Sequence, residues 1–149
     1  MATTPLTLYV PIRQDAASQQ AAQEIYKSFA TSVHEGLNAS QIVHYAHFAL
    51  VPNADGEDGS QALLLITAFD GPMNPYLSTF WNNDPAIKGA FQAIIDIALT
   101  PPPAPVTDLN GFANFVNAHN LNQPADLYSA YPQTVKQILA AFPVAPSAA

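Results

Sequence analysis

The chain has 149 residues, of which 49% are hydrophobic and 10% charged, a length and composition that suit one folded domain and exclude a disordered chain. The net charge is -7 with four scattered basic residues, which excludes binding to nucleic acid or to an anionic membrane surface. The absence of cysteine excludes disulfides, thiolate catalysis and cysteine-based metal sites.

The N-terminal part predicts a strand followed by a long helix. Leu6–Ile12 alternates, with four aliphatic residues on one face and Thr, Tyr and Pro on the other. Asp15 is a candidate N-cap for a helix that reaches about Leu37, because apolar residues then recur every three or four positions. Gly36 and Asn38 are the candidate C-caps.

A β-hairpin follows, with strands over Ile42–Val51 and Ala62–Phe69 around an acidic turn that contains two glycines. The stretch from Ala62 to Ile66 carries no polar residue on either side. A strand with one wet face alternates between apolar and polar residues. We therefore expect both faces of this strand to be covered.

The second half predicts more helices and a fourth strand. An Asp-Pro pair marks a strong helix start, and a run of prolines marks a stiff linker. The predicted elements are a short helix over Pro75–Trp81, a helix from Asp84-Pro85 to Leu99, a helix over Leu109–Asn120 capped by Asp108, a strand over Asp126–Tyr131 and a helix over Thr134–Phe142.

This order predicts an α+β protein, a ferredoxin-like sandwich of the βαββαβ type with extra C-terminal helices and an antiparallel sheet. Its helices cover one sheet face and leave the other open. Because the third strand is apolar on both sides, we expect two such sheets to meet in a homodimer, a dimeric α+β barrel. We assign residues 1–142 to one domain and residues 143–149 to a loose C-terminal tail.

The N-terminus has no basic residue ahead of its apolar run, which is not typical of a signal peptide. The apolar runs are shorter than the ~20 residues that span a bilayer. We therefore expect a cytoplasmic protein without a membrane partner.

Phenols and one imidazole are expected to line the open sheet face. If the aliphatic residues of the first strand face the helices, Tyr9 faces the open side, and Tyr45 and His47 join it from the second strand. Tyr128 or Tyr131 of the fourth strand extends the group. Apolar walls with a few polar groups are typical of a small-molecule site. The alternative is that these tyrosines pack a dimer interface, where tyrosine is enriched.

Asp70 and the histidines are the candidate acid–base groups. Asp70 ends an apolar strand beside a glycine, a suitable position for proton transfer, although Asp-Gly is also a common turn pair. His44 and His47 are three apart on a strand, so we expect them on opposite faces and not on one metal ion. His47 and His119 are the histidines retained as functional candidates, and no metal site is predicted.

Three short segments together resemble the dimeric α+β barrel superfamily, which includes the dye-decolourising peroxidases and small monooxygenases. They are His44-Tyr45-Ala46-His47, Phe69-Asp70-Gly71 and Tyr128-Ser129-Ala130-Tyr131-Pro132. His47 stands where the pattern has an arginine, and Thr67 stands where the peroxidases have the first glycine of GxxDG. The resemblance implies haem as a candidate cofactor, with Asp70 as the distal acid and His119 as the axial ligand.

Three functions follow as expectations. The first is a homodimer that binds a small apolar or aromatic molecule and has oxidoreductase-like chemistry, with His47 and Asp70 as catalytic candidates and Tyr9, Tyr45, Tyr128 and His119 as ligand contacts. The second is a non-catalytic dimer that uses the open face for association alone. The third is a haem-dependent peroxidase.

Overall fold

Three strands form an antiparallel sheet in the structure, a computed structural model that describes residues 2–142. They are β1 (Thr3–Pro11), β2 (Val43–Pro52) and β3 (Ser60–Asp70), in the order β1-β3-β2. The apolar β3 is the central strand, as its lack of alternation favours. The α+β class and the three strands of the first half are confirmed, whereas the predicted tail, residues 143–149, lies outside the described residues.

The helices account for most of the remaining described chain. None of those within residues 2–142 is long and apolar enough to cross a membrane. Their bounds are α1 (Ala16–Ser28), a π-helical turn (Phe29–Val33), α2 (His34–Ser40), α3 (Met73–Asn83), α4 (Pro85–Ile97), α5 (Leu109–His119), a 3-10 turn (Pro124–Asp126) and α6 (Val135–Ala141).

Four of these helices start at a residue whose side chain caps the first turn. Each of them starts where the sequence predicts a helix to begin. A cap oxygen accepts a backbone N–H that has no partner inside the helix. The pairs are Asp15 with the N–H of Ser18, Asp84 with that of Ile87, Asp108 with that of Gly111, and Thr134 with that of Gln137. Local sequence chemistry therefore determines where these helices start.

The first long helix continues past its predicted end. It runs through the π-helical turn into α2 and stops at Ser40, where Gln41 takes the left-handed conformation with a φ of 55°. The predicted C-cap at Gly36 is wrong, since Gly36 is buried inside α2. An added Cβ there would lie 2.6 Å from Cδ1 of Ile87 and would also clash with the Asp84 carboxylate. Gly36 thus allows α2 to approach the start of α4 closely.

The two faces of the sheet differ in what covers them. On one face Leu8 of β1 lies opposite Leu65 of β3, which lies opposite Phe48 of β2, and all three are buried under the helices. Phe69 stacks there on Tyr76 of α3, with ring centroids 3.7 Å apart. The other face, called the open face below, carries the alternate residues of each strand.

The fourth strand predicted over Asp126–Tyr131 does not form. Instead, Asn120 bridges to Leu8, and the N–H of Leu121 donates to the carbonyl of Thr7 at 2.9 Å. The chain then turns away, because the capping box of the 3-10 turn ties the Gln123 backbone N–H to the Asp126 side chain. Pairing at the outer edge of β1 is therefore earlier and shorter than predicted.

Candidate functional site

The open face is lined mainly by apolar residues of all three strands, with the imidazole of His47 among them. Tyr9 lies opposite Leu64 of β3, and His47 lies opposite Ile66. Leu64 and Ile66 are half-buried, and His47 is exposed. Tyr45 is 58% exposed. The strand register thus places Tyr9, Tyr45 and His47 on one face, as the alternation of their strands predicts.

A β-bulge changes the position of His44. The pairing of β2 with β3 shifts between Val43 and Tyr45, so His44 is an extra residue with no partner of its own on β3. Its Nε2 lies 2.7 Å from Oδ1 of Asp70. Asp70 alternates on β3 with Ala68, which lies opposite Tyr45 on the open face. The prediction that His44 points away from the open face is therefore wrong.

Asp70 joins three elements through one carboxylate. Oδ1 pairs with His44 on β2, and Oδ2 accepts the N–H of Val135 at the start of α6 at 2.8 Å. The Asp70 backbone N–H donates to the carbonyl of Ile42 at 2.8 Å. The side chain of Asp70 is 6% exposed and that of His44 is 16% exposed. A carboxylate so well supplied with donors is held in one orientation.

A cleft of about 370 Å³ opens beside Asp70 at the end of the sheet. Tyr76 and Thr79 of α3 form one wall, and Lys136 of α6 lies at another. Burial raises the pKa of the Tyr76 phenol to about 12, against the opposing effect of its contact with the Thr67 hydroxyl at 3.4 Å. The phenol therefore stays neutral and serves as a wall of the cleft.

Tyr128 and His119 lie apart from this group. Tyr128 is in the loop that replaces the predicted fourth strand and is 86% exposed. His119 ends α5, where its Nδ1 lies 2.9 Å from the carbonyl of Phe115 and its ring packs on the Phe115 ring. A groove of about 420 Å³ separates His119 from the proline-rich linker. The ligand-binding roles predicted for Tyr128 and His119 therefore stay predictions.

The residues do not fit one haem group between Asp70 and His119. Asp70 pairs with Thr3 at one end of β1, whereas His119 precedes Asn120, which bridges to Leu8. Five residues of β1 separate these positions, roughly 17 Å along the strand. Among residues 2–142, those that line the groove at His119 include no lysine or arginine for haem carboxylates.

Within residues 2–142 no three histidine or acidic side chains cluster as a metal site. Comparison with protein-family models, with curated proteins and with solved structures gave no match. The class of the protein is therefore described by its own geometry. It is an α+β protein with a three-stranded antiparallel sheet, with α1 to α5 on one face and a His–Asp pair beside the other.

The sequence pattern indicates Asp70 but gives no sign of its contact with the imidazole of His44. The alternation rule assigns His44 to the helix side, and it fails because β2 contains one residue more than the matching part of β3. No residue type in the HYAH segment marks such an insertion in advance. The signal lies in the register between two strands, which becomes visible only when both are paired.

Proposed function

We propose that this chain is a ferredoxin-like α+β protein that binds a small apolar or aromatic molecule against the open face of its sheet. The observation that carries the proposal is the composition of that face. Leu64 and Ile66 remain half-buried at its centre, with Tyr9 and His47 beside them. Apolar surface with a few polar groups suits such a ligand.

The strand order supports the ferredoxin-like topology. The order β1-β3-β2, with residues 120–121 paired to the free edge of β1, matches a βαββαβ arrangement in which the last strand is reduced to one bridge. In this arrangement the helices before α6 occupy one face and α6 begins beside the other, so the ligand and any partner share the open face with the start of α6.

A second copy of the chain is the proposed cover of the ligand. Only 10% of the residues are charged, and β2 from Val43 to Pro52 carries no acidic or basic residue other than its histidines. Two open faces can therefore approach around a two-fold axis without like charges meeting on β2. The alternative function, association without a ligand, uses the same face and is favoured by the exposed Tyr45.

The binding proposal is tested with N-phenyl-1-naphthylamine, a neutral aromatic probe whose fluorescence rises in apolar surroundings. Ile66→Gln places an amide at the centre of the open face, and we expect it to weaken probe binding about tenfold or more. Leu99→Gln is the matched control, because Leu99 is 58% exposed outside the sheet. Equal probe binding by both variants and the unmodified chain would contradict the proposal.

His47→Ala separates the ligand site from the interface. We expect this variant to keep its oligomeric state in sedimentation equilibrium and to bind the probe more weakly, because His47 is an exposed side chain on the open face. His34→Ala is the control, since His34 is an exposed residue of α2. If His47→Ala yields monomers from a dimeric parent, His47 belongs to the interface and not to the ligand site.

A further inference from the structure

We infer that His44 accepts a proton from the molecule bound at the open face and that Asp70 is the positioning residue that holds its imidazole. The inference rests on the proposed function, because it requires a ligand on that face. The substrate class is a small aromatic or apolar molecule with one weakly acidic C–H or O–H bond.

The geometry of the pair determines which ring nitrogen is reactive. His44 Nε2 lies 2.7 Å from Oδ1 of Asp70, and the other Asp70 oxygen accepts the N–H of Val135. When Asp70 is ionised, its carboxylate can only accept hydrogen bonds, and Nε2 of His44 then carries the hydrogen of this contact. In its neutral form the imidazole has its lone pair on Nδ1.

The lone pair of Nδ1 is accessible. Among residues 2–142 Nδ1 has no hydrogen-bond partner, and no side-chain nitrogen or oxygen in that range is both buried and unpartnered. Nδ1 therefore reaches solvent even though the His44 side chain is only 16% exposed. An imidazole fixed at one nitrogen and free at the other is the arrangement of an oriented general base.

The bulge brings this base to the ligand side of the sheet. His44 reaches Asp70, which alternates with Ala68 on β3, and its neighbour Tyr45 lies opposite Ala68. A flat molecule against Tyr45, which is 58% exposed, would lie beside the His44 ring. Without the inserted residue, alternation would direct His44 under the helices instead.

The proposed step moves one proton and needs no oxidant or other co-reactant. The X–H bond of the ligand breaks, its electron pair stays on X, and the proton forms the N–H bond at Nδ1. The imidazolium that results is stabilised by the ionised Asp70 at Nε2. The proton then returns to the rearranged product or passes to water.

The test uses 5-nitrobenzisoxazole, a small aromatic molecule that a base opens in one step. Loss of its C–H proton breaks the N–O bond and releases the coloured 2-cyano-4-nitrophenolate. We expect saturable opening by the purified protein, about 100-fold faster than by the same concentration of free imidazole. His44→Gln removes the base, while its amide can still donate to Asp70, and we expect the rate to fall to background with little change in melting temperature.

Matched variants separate proton transfer from a structural role. His34→Gln alters an exposed histidine of α2 and should leave the rate unchanged. In Asp70→Asn the carboxylate charge is lost, and we expect at least a tenfold lower rate together with a mixture of ring tautomers at His44 in ¹⁵N NMR spectra. Added imidazole should restore part of the rate to His44→Ala, because it can occupy the vacated space.

Three results would overturn the inference: opening no faster than by free imidazole, full activity in His44→Gln, or NMR spectra of the unmodified protein with the hydrogen on Nδ1. Its failure is distinguishable from that of the proposed function. If N-phenyl-1-naphthylamine binds and Ile66→Gln weakens that binding while 5-nitrobenzisoxazole is not opened, the site binds without acting as a base. If the naphthylamine probe also fails to bind, the proposed site itself is wrong.

Discussion

At the scale of single residues, Asp70 has the most consequential environment in the structure. Its carboxylate connects the end of β3 to His44 in the β2 bulge and to Val135 at the start of α6. A buried carboxylate is stable only where donors replace the lost water. The place of Asp70 at a strand end is predictable from the sequence, but the two partners of its carboxylate come from segments 26 and 65 residues away.

Tyr76 offers a test of burial by pH. Its pKa is raised to about 12 by desolvation, so between about pH 10 and pH 12 the folded state keeps a proton that the unfolded state has lost. Its contribution to stability is complete below about pH 10 and declines as pH rises toward 12. We expect the unmodified protein to lose roughly 2 kcal/mol more than Tyr76→Phe over this window, measured by urea denaturation.

If the unmodified protein and Tyr76→Phe lose stability in parallel as pH rises, the expectation is contradicted. That result would mean that the Tyr76 phenol is already hydrated in the folded state. An exposed phenol as control, Tyr131→Phe, should track the unmodified protein, because Tyr131 is 72% exposed.

At the scale of elements, helix starts were predictable and one strand was not. Each cap is a contact between residues three apart, so Asp15, Asp84 and Asp108 can be identified without the rest of the fold. The strand predicted over Asp126–Tyr131 failed because edge pairing depends on where the preceding helix delivers the chain. Here α5 ends at His119 directly beside β1, so the chain after α5 pairs with the edge of β1 already at Asn120.

Two glycines in helices make a matched pair of substitutions. Gly36 of α2 packs against Asp84 and Ile87, whereas Gly89 of α4 has no heavy atom within 4 Å of an added Cβ. We expect Gly36→Ala to destabilise the protein by about 1–3 kcal/mol through overpacking. We expect Gly89→Ala to stabilise it by about 0.5–1 kcal/mol through helix propensity, with both effects measured by thermal and urea denaturation.

A stabilising Gly36→Ala would refute the close approach of α2 to the start of α4. The comparison is informative because helix propensity alone gives both substitutions the same sign. Tertiary packing reverses the sign of the expected stability change at Gly36 and leaves it unchanged at Gly89.

At the scale of the whole molecule, the unequal cover of the sheet is the dominant feature. Helices bury one face completely at Leu6, Leu8 and Val10, while Leu64 and Ile66 on the other face keep part of their surface exposed. Within residues 2–142, α6 begins beside the open face but has no buried residue of its own. The centre of that face therefore remains accessible to a ligand or to a second copy.

The proposed dimer predicts the effect of a charge at this centre. Leu64→Glu would bring an unpaired carboxylate into the apolar contact of each copy, and we expect the dissociation constant of the dimer to rise at least about 100-fold. Leu99→Glu is the control for the added negative charge. Sedimentation equilibrium at several concentrations measures the dissociation constant of the dimer for both variants. An unchanged dissociation constant in Leu64→Glu would show that the open face is not the interface.

The amino-acid sequence by itself determined the α+β class, the hairpin, the helix starts and the apolar character of the central strand. Each of these follows from contacts within a few residues or from the side chain alternation of one strand. The position of His44 was decided only by the tertiary structure, because it depends on a one-residue mismatch between β2 and β3. Register is a property of two paired strands, and neither strand carries it alone.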